Sequence, residues 1–519
     1  MTQSYKNSLA IIMVLVGLGL RFNVQFLEPF FNNDEIDLGI NINQRGFLDL
    51  LYPLKHYQTA PPLFLWFFKC IYLFPLGATW LKYKVVTFIL NLVFLKLFWD
   101  FIQRISNVPL VQLTALLMVC CNPFFIYHGL TLKQYLPDAI IAMLLARSFT
   151  TERSKSWFKL FWVVAPLLSN PALFIYTGKL LGDTWHLLKE KRKDNIPVLP
   201  GVWESVKEQW RKKTNRWLWI PLLVYVAYFF WYRQQDGYIA LTRFMWDFWK
   251  KTFFSNPNDF FIRIYYFFVG NVTFIFSHDK TLANLGTLAL FFGLWTFYKK
   301  QKNDTNKASL NIYFWSLGVF VVLNTFKLYP IAPRLLFYFS PVVVWMIAYL
   351  WEWKQKWVRA LLMVLFLVGF TNYTLYYPFK ENDVVQMTKV VEKANPKLVL
   401  YSMNTEKAVR KFEAFTEKEF HISDRLYTNL KYNKKGDTLF VIKLVHQFGR
   451  NGENGPIKEQ LIKVAAASGR LVLERTADGF NIYTVKDPNI IAEFLRDGII
   501  NPKWFQVSGF KSPQPENNS

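Results

Sequence analysis

The chain has 519 residues, 52% of them hydrophobic and 19% aromatic, and a formal net charge of +25. The apolar residues fall in runs of about 17–22 that stop near residue 377; each can cross a hydrocarbon core of roughly 30 Å as helix, which excludes an ordinary soluble enzyme. The positive charge sits in short loops between the runs, a positive-inside membrane pattern rather than a nucleic-acid-binding face, and Cys70, Cys120 and Cys121 lie in or beside apolar runs with no disulfide or zinc framework.

The first run, 8–26, carries Arg21 and Asn23 and no small-residue cleavage site, so it reads as an uncleaved spanning helix. Further spans are expected at 82–103, 108–126, 133–150, 157–168, 171–187, 217–234, 282–298, 311–328, 333–350 and 358–376. Basic connections at 189–216, 299–307 and 354–359 mark the cytoplasmic side. With the N-terminus inside, an odd count places everything after 377 outside. Two stretches, 61–77 and 262–278, read either as spans or as interfacial helices, so the count is eleven or thirteen. The helices at 157–168 and 171–187, parted by Ser169, Asn170 and Pro171, are two helices or one broken one. Arg243, Trp246, Trp249, Lys250 and Lys251 mark a helix lying at the membrane surface.

The tail, 380–519, changes pattern. Strands are expected at 397–403 and 438–444, helices at 406–415 and 456–467, and a hairpin over 470–485 turning at Asp478 and Gly479, with a frayed polar end at 513–519. The expected architecture is a polytopic α-helical membrane domain over 1–379, with a first external loop at 28–60, and a small extracytoplasmic α/β domain over 380–519.

Ionisable groups at bilayer depth usually face a cavity and mark function. The first external loop holds Asp34, Glu35 and Asp37, then His56, Tyr57 and Gln58 before Pro61 and Pro62; a carboxylate pair there suits a general base, and a solvated acidic loop is the plainer alternative. Between two runs, 127–138 (YHGLTLKQYLPD) holds Lys133, Tyr135 and Asp138. Lys133 offers a point charge for a phosphate or snorkels at a helix end, and Asp138 serves a cavity or favours a helix N-terminus. The link 327–339 holds Tyr329 and Arg334; an Arg there grips a phosphate through its fork of donors or anchors the interface. Ser169 to Pro171 are a fourth, weaker place. In the topology above all four lie on the external side.

In this order the acidic pair, the Pro-Pro-Leu-Phe restart at Pro61, the Tyr-containing basic segment ending in Asp138 and the Tyr-Pro-x-x-x-Arg-Leu-Leu link resemble type-C (GT-C) membrane glycosyltransferases. The branch they resemble is glycosyltransferase family 39, of protein O-mannosyltransferases and, near it, the lipid A aminoarabinose transferase. The resemblance covers about the first 380 residues. It implies transfer of a sugar from a polyprenyl-phosphate donor to an extracytoplasmic protein, lipid or glycan, by inverting displacement. It further implies Asp34 as base with Glu35 in support, Asp138 as a second cavity acid, Lys133 and Arg334 on the departing phosphate, and His56, Gln58, Tyr135 and Tyr329 on substrate. No cofactor and no essential metal are expected. Where relatives carry Ser-Gln-Glu-Ala-Arg, this chain reads His128-Gly129-Leu130-Thr131-Leu132-Lys133, a departure that keeps open a non-catalytic scaffold of the same fold binding lipid and a partner. A transporter is the second alternative, disfavoured because no internal repeat is evident. A bacterial inner membrane with the tail in the periplasm fits the compact loops.

Overall fold

The computed structural model describes residues 3–27, 33–75, 77–150, 156–193, 198–211, 213–249, 306–330, 333–349, 398–401, 438–443, 455–477, 480–487 and 489–497, with single positions at 253, 351, 359, 415 and 499. The expected spans at 262–278 and 282–298, most of 358–376, most of the helix at 406–415 and the turn at 478–479 lie outside the described residues. The chain divides into two compact units, one of Met1–Leu27, Asn41–Gly77 and Leu81–Phe379, the other of Glu28–Ile40, Ala78–Trp80 and Lys380–Ser519.

The first unit is helical, and its helices stand where the apolar runs predict them. They are α1 (Gln3–Phe22), α3 (Pro62–Leu73), α4 (Thr79–Ile105), α5 (Pro109–Cys121), α6 (Pro123–Leu130), α7 (Tyr135–Thr150), α8 (Ser156–Leu168), α9 (Pro171–Lys193), α11 (Lys213–Arg233) and α12 (Tyr238–Trp249). Beyond them come α13 (Asn306–Thr325) and α14 (Ser340–Tyr349), the latter entered through a 3₁₀ segment, Pro333–Phe339. Among the described residues, Gln3–Phe26 and Thr79–Ile105 are long and apolar enough to cross a membrane, and α5 with α6 meets the same test as a pair bent by 55°.

Two segments read as loops contain helices. The acidic stretch forms α2 (Asn33–Gln44), with Asp34 and Glu35 in its first turn, where carboxylates favour the positive end of the helix dipole. The basic connection contains α10 (Val198–Arg211). Its Gly201, Ser205 and Gln209 recur every four residues on the buried side, and Gln209 Nε2 donates to Leu180 O (3.0 Å) and Thr184 Oγ1 (2.7 Å) of α9. Its apolar residues keep a helical period, but the charged residues among them keep it from reading as an apolar run.

The bend between α5 and α6 follows from one proline. Pro123 has no N–H to return to Val119, and Phe124 N donates instead to Asn122 Oδ1 (2.8 Å), which caps α6. The carbonyls thus released are taken by Arg21, fully buried on α1, which donates to Val119 O (2.8 Å), Cys120 O (2.5 Å), Gly17 O (3.0 Å) and Asn91 Oδ1 (3.0 Å). Gly17 permits the approach, because a Cβ there would stand 2.7 Å from Cys120 Cβ. Lysines end two further helices the same way: Lys69 Nζ holds Ile42 O and Asn43 O at 2.9 Å, and Lys82 Nζ holds Tyr72 O (2.6 Å) and Phe74 O (2.8 Å).

The second unit contains a four-stranded sheet of β1 (Leu398–Tyr401), β2 (Thr438–Lys443), β3 (Leu471–Ala477) and β4 (Phe480–Val485), in the order β1-β2-β4-β3. β1 runs parallel to β2, with Leu398 opposite Thr438, while β2 with β4 and β3 with β4 are antiparallel. The parallel pair needs a crossover, and the antiparallel β3–β4 pair is the expected hairpin. The described tail also holds two helices, α15 (Gly455–Ala467) and α16 (Asn489–Arg496). Arg470, between α15 and β3, donates to Asp487 Oδ2 (2.8 Å) and to both Glu493 oxygens (2.7 and 3.0 Å), joining the sheet to α16.

Candidate functional site

A cavity of about 390 Å³ opens in the first unit. Its walls come from the 3₁₀ turns and extended chain before α3, the start of α7, the α8–α9 junction, α11, α12 and the link after α13. Aromatic side chains dominate it, among them Tyr225, Tyr228 and Tyr232 of α11, Tyr238 and Trp246 of α12, and Tyr329.

Several residues singled out in the sequence gather beside it. Lys133 is buried, and its ammonium donates to Gln58 Oε1, which is buried too. The next residues along both segments, Gln134 and Thr59, are joined by Gln134 Nε2 donating to Thr59 O (3.4 Å), and both line the cavity. Gln58 is aimed by a strained turn. His56 and Tyr57 hold φ of 60° and 55°, a left-handed conformation costly for non-glycine residues and frequent at functional sites. Tyr57 is pinned by stacking on Phe244 of α12 (4.3 Å, 9°), and the exposed His56 offers its carbonyl to Gln58 Nε2 (3.3 Å).

Asp138, one turn into α7, is buried with Ser169 as its side-chain neighbour. The contact falls short of full hydrogen-bond geometry, since Asp138 Oδ1 and Ser169 Oγ have no partner that meets it. Asp138 lies within electrostatic range of Tyr225 and Tyr329. Half-buried Tyr329 packs edge-on against Phe174 (5.1 Å) and Phe320 (5.5 Å). Arg334, half-buried in the 3₁₀ segment next to the cavity-lining Leu335, is in electrostatic range of His128. His128 is enclosed by Phe124 (4.7 Å), Tyr135 (5.4 Å) and Phe337 (6.1 Å). Distant segments thus bring Lys133 to Gln58 and place Asp138 and Tyr135 in electrostatic range of Tyr329, while the exposed His56 contributes its carbonyl.

Asp34 and Glu35 belong to the other unit. There Asp34 is half-buried, and Glu35 and Asp37 are buried, which sets aside the solvated-loop alternative for the acidic segment. Among the described residues no three His, Cys, Asp or Glu side chains gather as a metal ligand set.

The sequence reading passed over Gln134 and the α11 tyrosines, while Asn170, in its fourth and weaker place, does line the cavity. Tyr225, Tyr228, Phe229 and Tyr232 follow a helical spacing of three and four, a signal that was present but merged with the aromatic richness of the whole run.

No family model and no curated protein sequence matches the chain. Solved structures do resemble it. One is ArnT from Cupriavidus metallidurans bound to undecaprenyl phosphate, at 12% identity and a TM-score of 0.48, over 91% of this chain and 97% of that one. Another is the oligosaccharyltransferase AglB from Archaeoglobus fulgidus in complex with an inhibitory peptide and a dolichol-phosphate, at 11% identity and 0.42, over 85% and 69%. At TM-scores below 0.5 they carry no functional weight, which falls on the chain's own residues.

Proposed function

We propose that the protein is a membrane glycosyltransferase that moves a sugar from a polyprenyl-phosphate donor to an acceptor outside the cytoplasm. The observation that carries this reading is a buried ammonium, Lys133, beside an aromatic cavity in the same helical unit as Arg334. A desolvated cation beside a greasy, partly polar cavity suits a ligand that is anionic at one end and lipid at the other.

In the proposed reaction an acceptor hydroxyl loses its proton to the Asp34 carboxylate as its oxygen attacks the anomeric carbon. The bond from that carbon to the phosphate oxygen breaks, and its electron pair leaves with the polyprenyl phosphate. Lys133 and Arg334 neutralise the charge that grows on the phosphate, the step where pre-placed charge lowers the barrier most. Glu35 supports Asp34, Asp138 acts as a second acid at the cavity, and Gln58, Tyr135, Tyr329 and His56 bind substrate. One displacement inverts the anomeric centre. The proposal places the protein in a bacterial inner membrane, with residues 380–519 forming a periplasmic α/β domain that selects the acceptor.

The test is transfer of radiolabelled sugar from a polyprenyl-phosphate donor by the purified full chain, with membrane extract as acceptor. Asp34→Asn is expected to lower the rate at least a hundredfold. Equal transfer by the variant, or none from any carrier by the wild type, would move the non-catalytic lipid-binding scaffold ahead.

A further inference from the structure

Helix α10 carries a surface that the proposed reaction leaves unused. At about 100° per residue, its side chains fall into three arcs. Gly201, Ser205 and Gln209 are buried, and Gln209 Nε2 donates to Leu180 O and Thr184 Oγ1 of α9. The next arc is apolar, with Val202 and Val206 half-buried and Trp203 and Trp210 exposed by 61% and 48%. The third holds Glu204, Lys207, Glu208 and Arg211. A helix bounded by water turns its apolar arc inward and its polar residues outward. In α10 the small and polar arc is buried instead and two indoles stand outside, an arrangement that suits a helix lying flat where lipid meets water.

Its neighbours stand at the same level. Thr184, which Gln209 holds, adjoins Trp185 of α9; Trp185 lies against Trp315 of α13 (6.1 Å), and Trp210 against Trp219 of α11 (6.1 Å). Tryptophans gathered from four helices form a belt of the kind found at headgroup depth. Trp203 and Trp185 each carry an ammonium over the ring, Lys207 at 5.3 Å and Lys189 at 5.5 Å, so each pair suits acyl chains with its indole and headgroups with its charge. Lys207 pairs with Glu204 and Lys191 with Glu208, yet residues 189–216 hold five more Lys and Arg than Asp and Glu. That excess favours anionic headgroups over zwitterionic ones.

We infer that α10 is an interfacial anchor that seats on anionic phospholipid of the surrounding membrane, with Trp203 in the lipid and Lys207 and Arg211 on its phosphates. The inference is independent of the proposed reaction.

The experiment is hydrogen exchange, read by mass spectrometry, of the full chain in nanodiscs of phosphatidylcholine alone or of equal parts phosphatidylcholine and phosphatidylglycerol. The α10 amides are expected to exchange about tenfold more slowly with the anionic lipid, and added salt to reduce the difference. Trp203→Glu, at an exposed position, is expected to abolish the difference, and the double variant Lys207→Gln with Arg211→Gln to reduce it to about twofold; unchanged exchange in α4 shows that both variants fold. Equal α10 exchange of the wild type in the two lipids, or a full difference in Trp203→Glu, overturns the inference. Protection that requires an added soluble protein in place of anionic lipid gives the face to that protein and overturns it as well.

Discussion

One described helix of each unit ends in the same way, and only one of the two uses the residue that the geometry favours. At the end of α15, Gly469 N donates to Ala466 O (3.0 Å) and Arg470 N to Ala465 O (3.0 Å), with Gly469 at φ 71°. At the end of α13, Lys327 N donates to Asn324 O (2.8 Å) and Leu328 N to Leu323 O (2.9 Å), with Lys327 at φ 56°. Both are paired reverse bonds that close a helix through one left-handed residue, a place where glycine has no Cβ to clash. The tail meets that requirement. The helical unit puts a lysine there, at the edge of the cavity, and Asn324 Nδ2 then grips Tyr329 O (2.9 Å), so that Tyr329 turns back to line it. Strain tolerated next to a cavity, and absent where the cap only ends a helix, is what a functional demand on the side chain produces.

Cations are held according to depth: half-buried Lys179 of the helical unit meets a carboxylate, that of Asp183. In the tail, Arg470 meets two carboxylates near solvent. In the helical unit, Arg21, Lys69 and Lys82 hold backbone carbonyls at helix ends, and Lys133 holds an amide. The largest effect is therefore expected at Arg21. Arg21→Leu leaves the carbonyls of Val119 and Cys120 buried without their donor, a loss of about 3–5 kcal/mol, measured as unfolding of the full chain in nanodiscs. A variant as stable as the wild type would break the assignment of Arg21 as the cap of the bent α5–α6 pair.

Next in size is Gly469→Val, which forces a β-branched residue into the left-handed region and is expected to destabilise the tail by about 1–2 kcal/mol, read by hydrogen exchange of the β3 and β4 amides. Lys327→Gly tests the other cap. Relief of strain is expected to stabilise the helical unit by about 1 kcal/mol, while transfer falls if the Lys327 charge serves the cavity; greater stability with undiminished transfer would remove any functional reason for the lysine.

The smallest effect concerns pH. The hydrogen bond from Asn489 N and the Arg470 guanidinium hold Asp487 below its ordinary 3.8, and Arg470 likewise holds Glu493 below 4.5. Both groups have folded values under their unfolded ones. Their contribution is therefore complete above pH 4.5 and declines as the pH falls through the depressed values. Because the pair is exposed, a modest acid-side loss of exchange protection at the sheet is expected, abolished in Arg470→Met and reduced by salt.

Much of this protein was legible in one dimension. Apolar runs placed most described helices of the first unit, two of which, with the bent α5–α6 pair, are long and apolar enough to cross a membrane. Alternation and the Asp478–Gly479 pair placed the strands, and expensive charges pointed to Lys133, Asp138 and Arg334. Two helices that are not apolar runs escaped: α10 mixes charged with apolar residues, and α2 begins among acids. Only the tertiary structure decided which polar residues meet. That Lys133 would rest on Gln58, that Gln134 would line one cavity with the tyrosines of α11, and that Arg21 would take the last carbonyls of α5 depend on packing between segments far apart in the chain. A sequence records the cost of a buried charge at its own position, whereas the partner that offsets the cost is set by the fold.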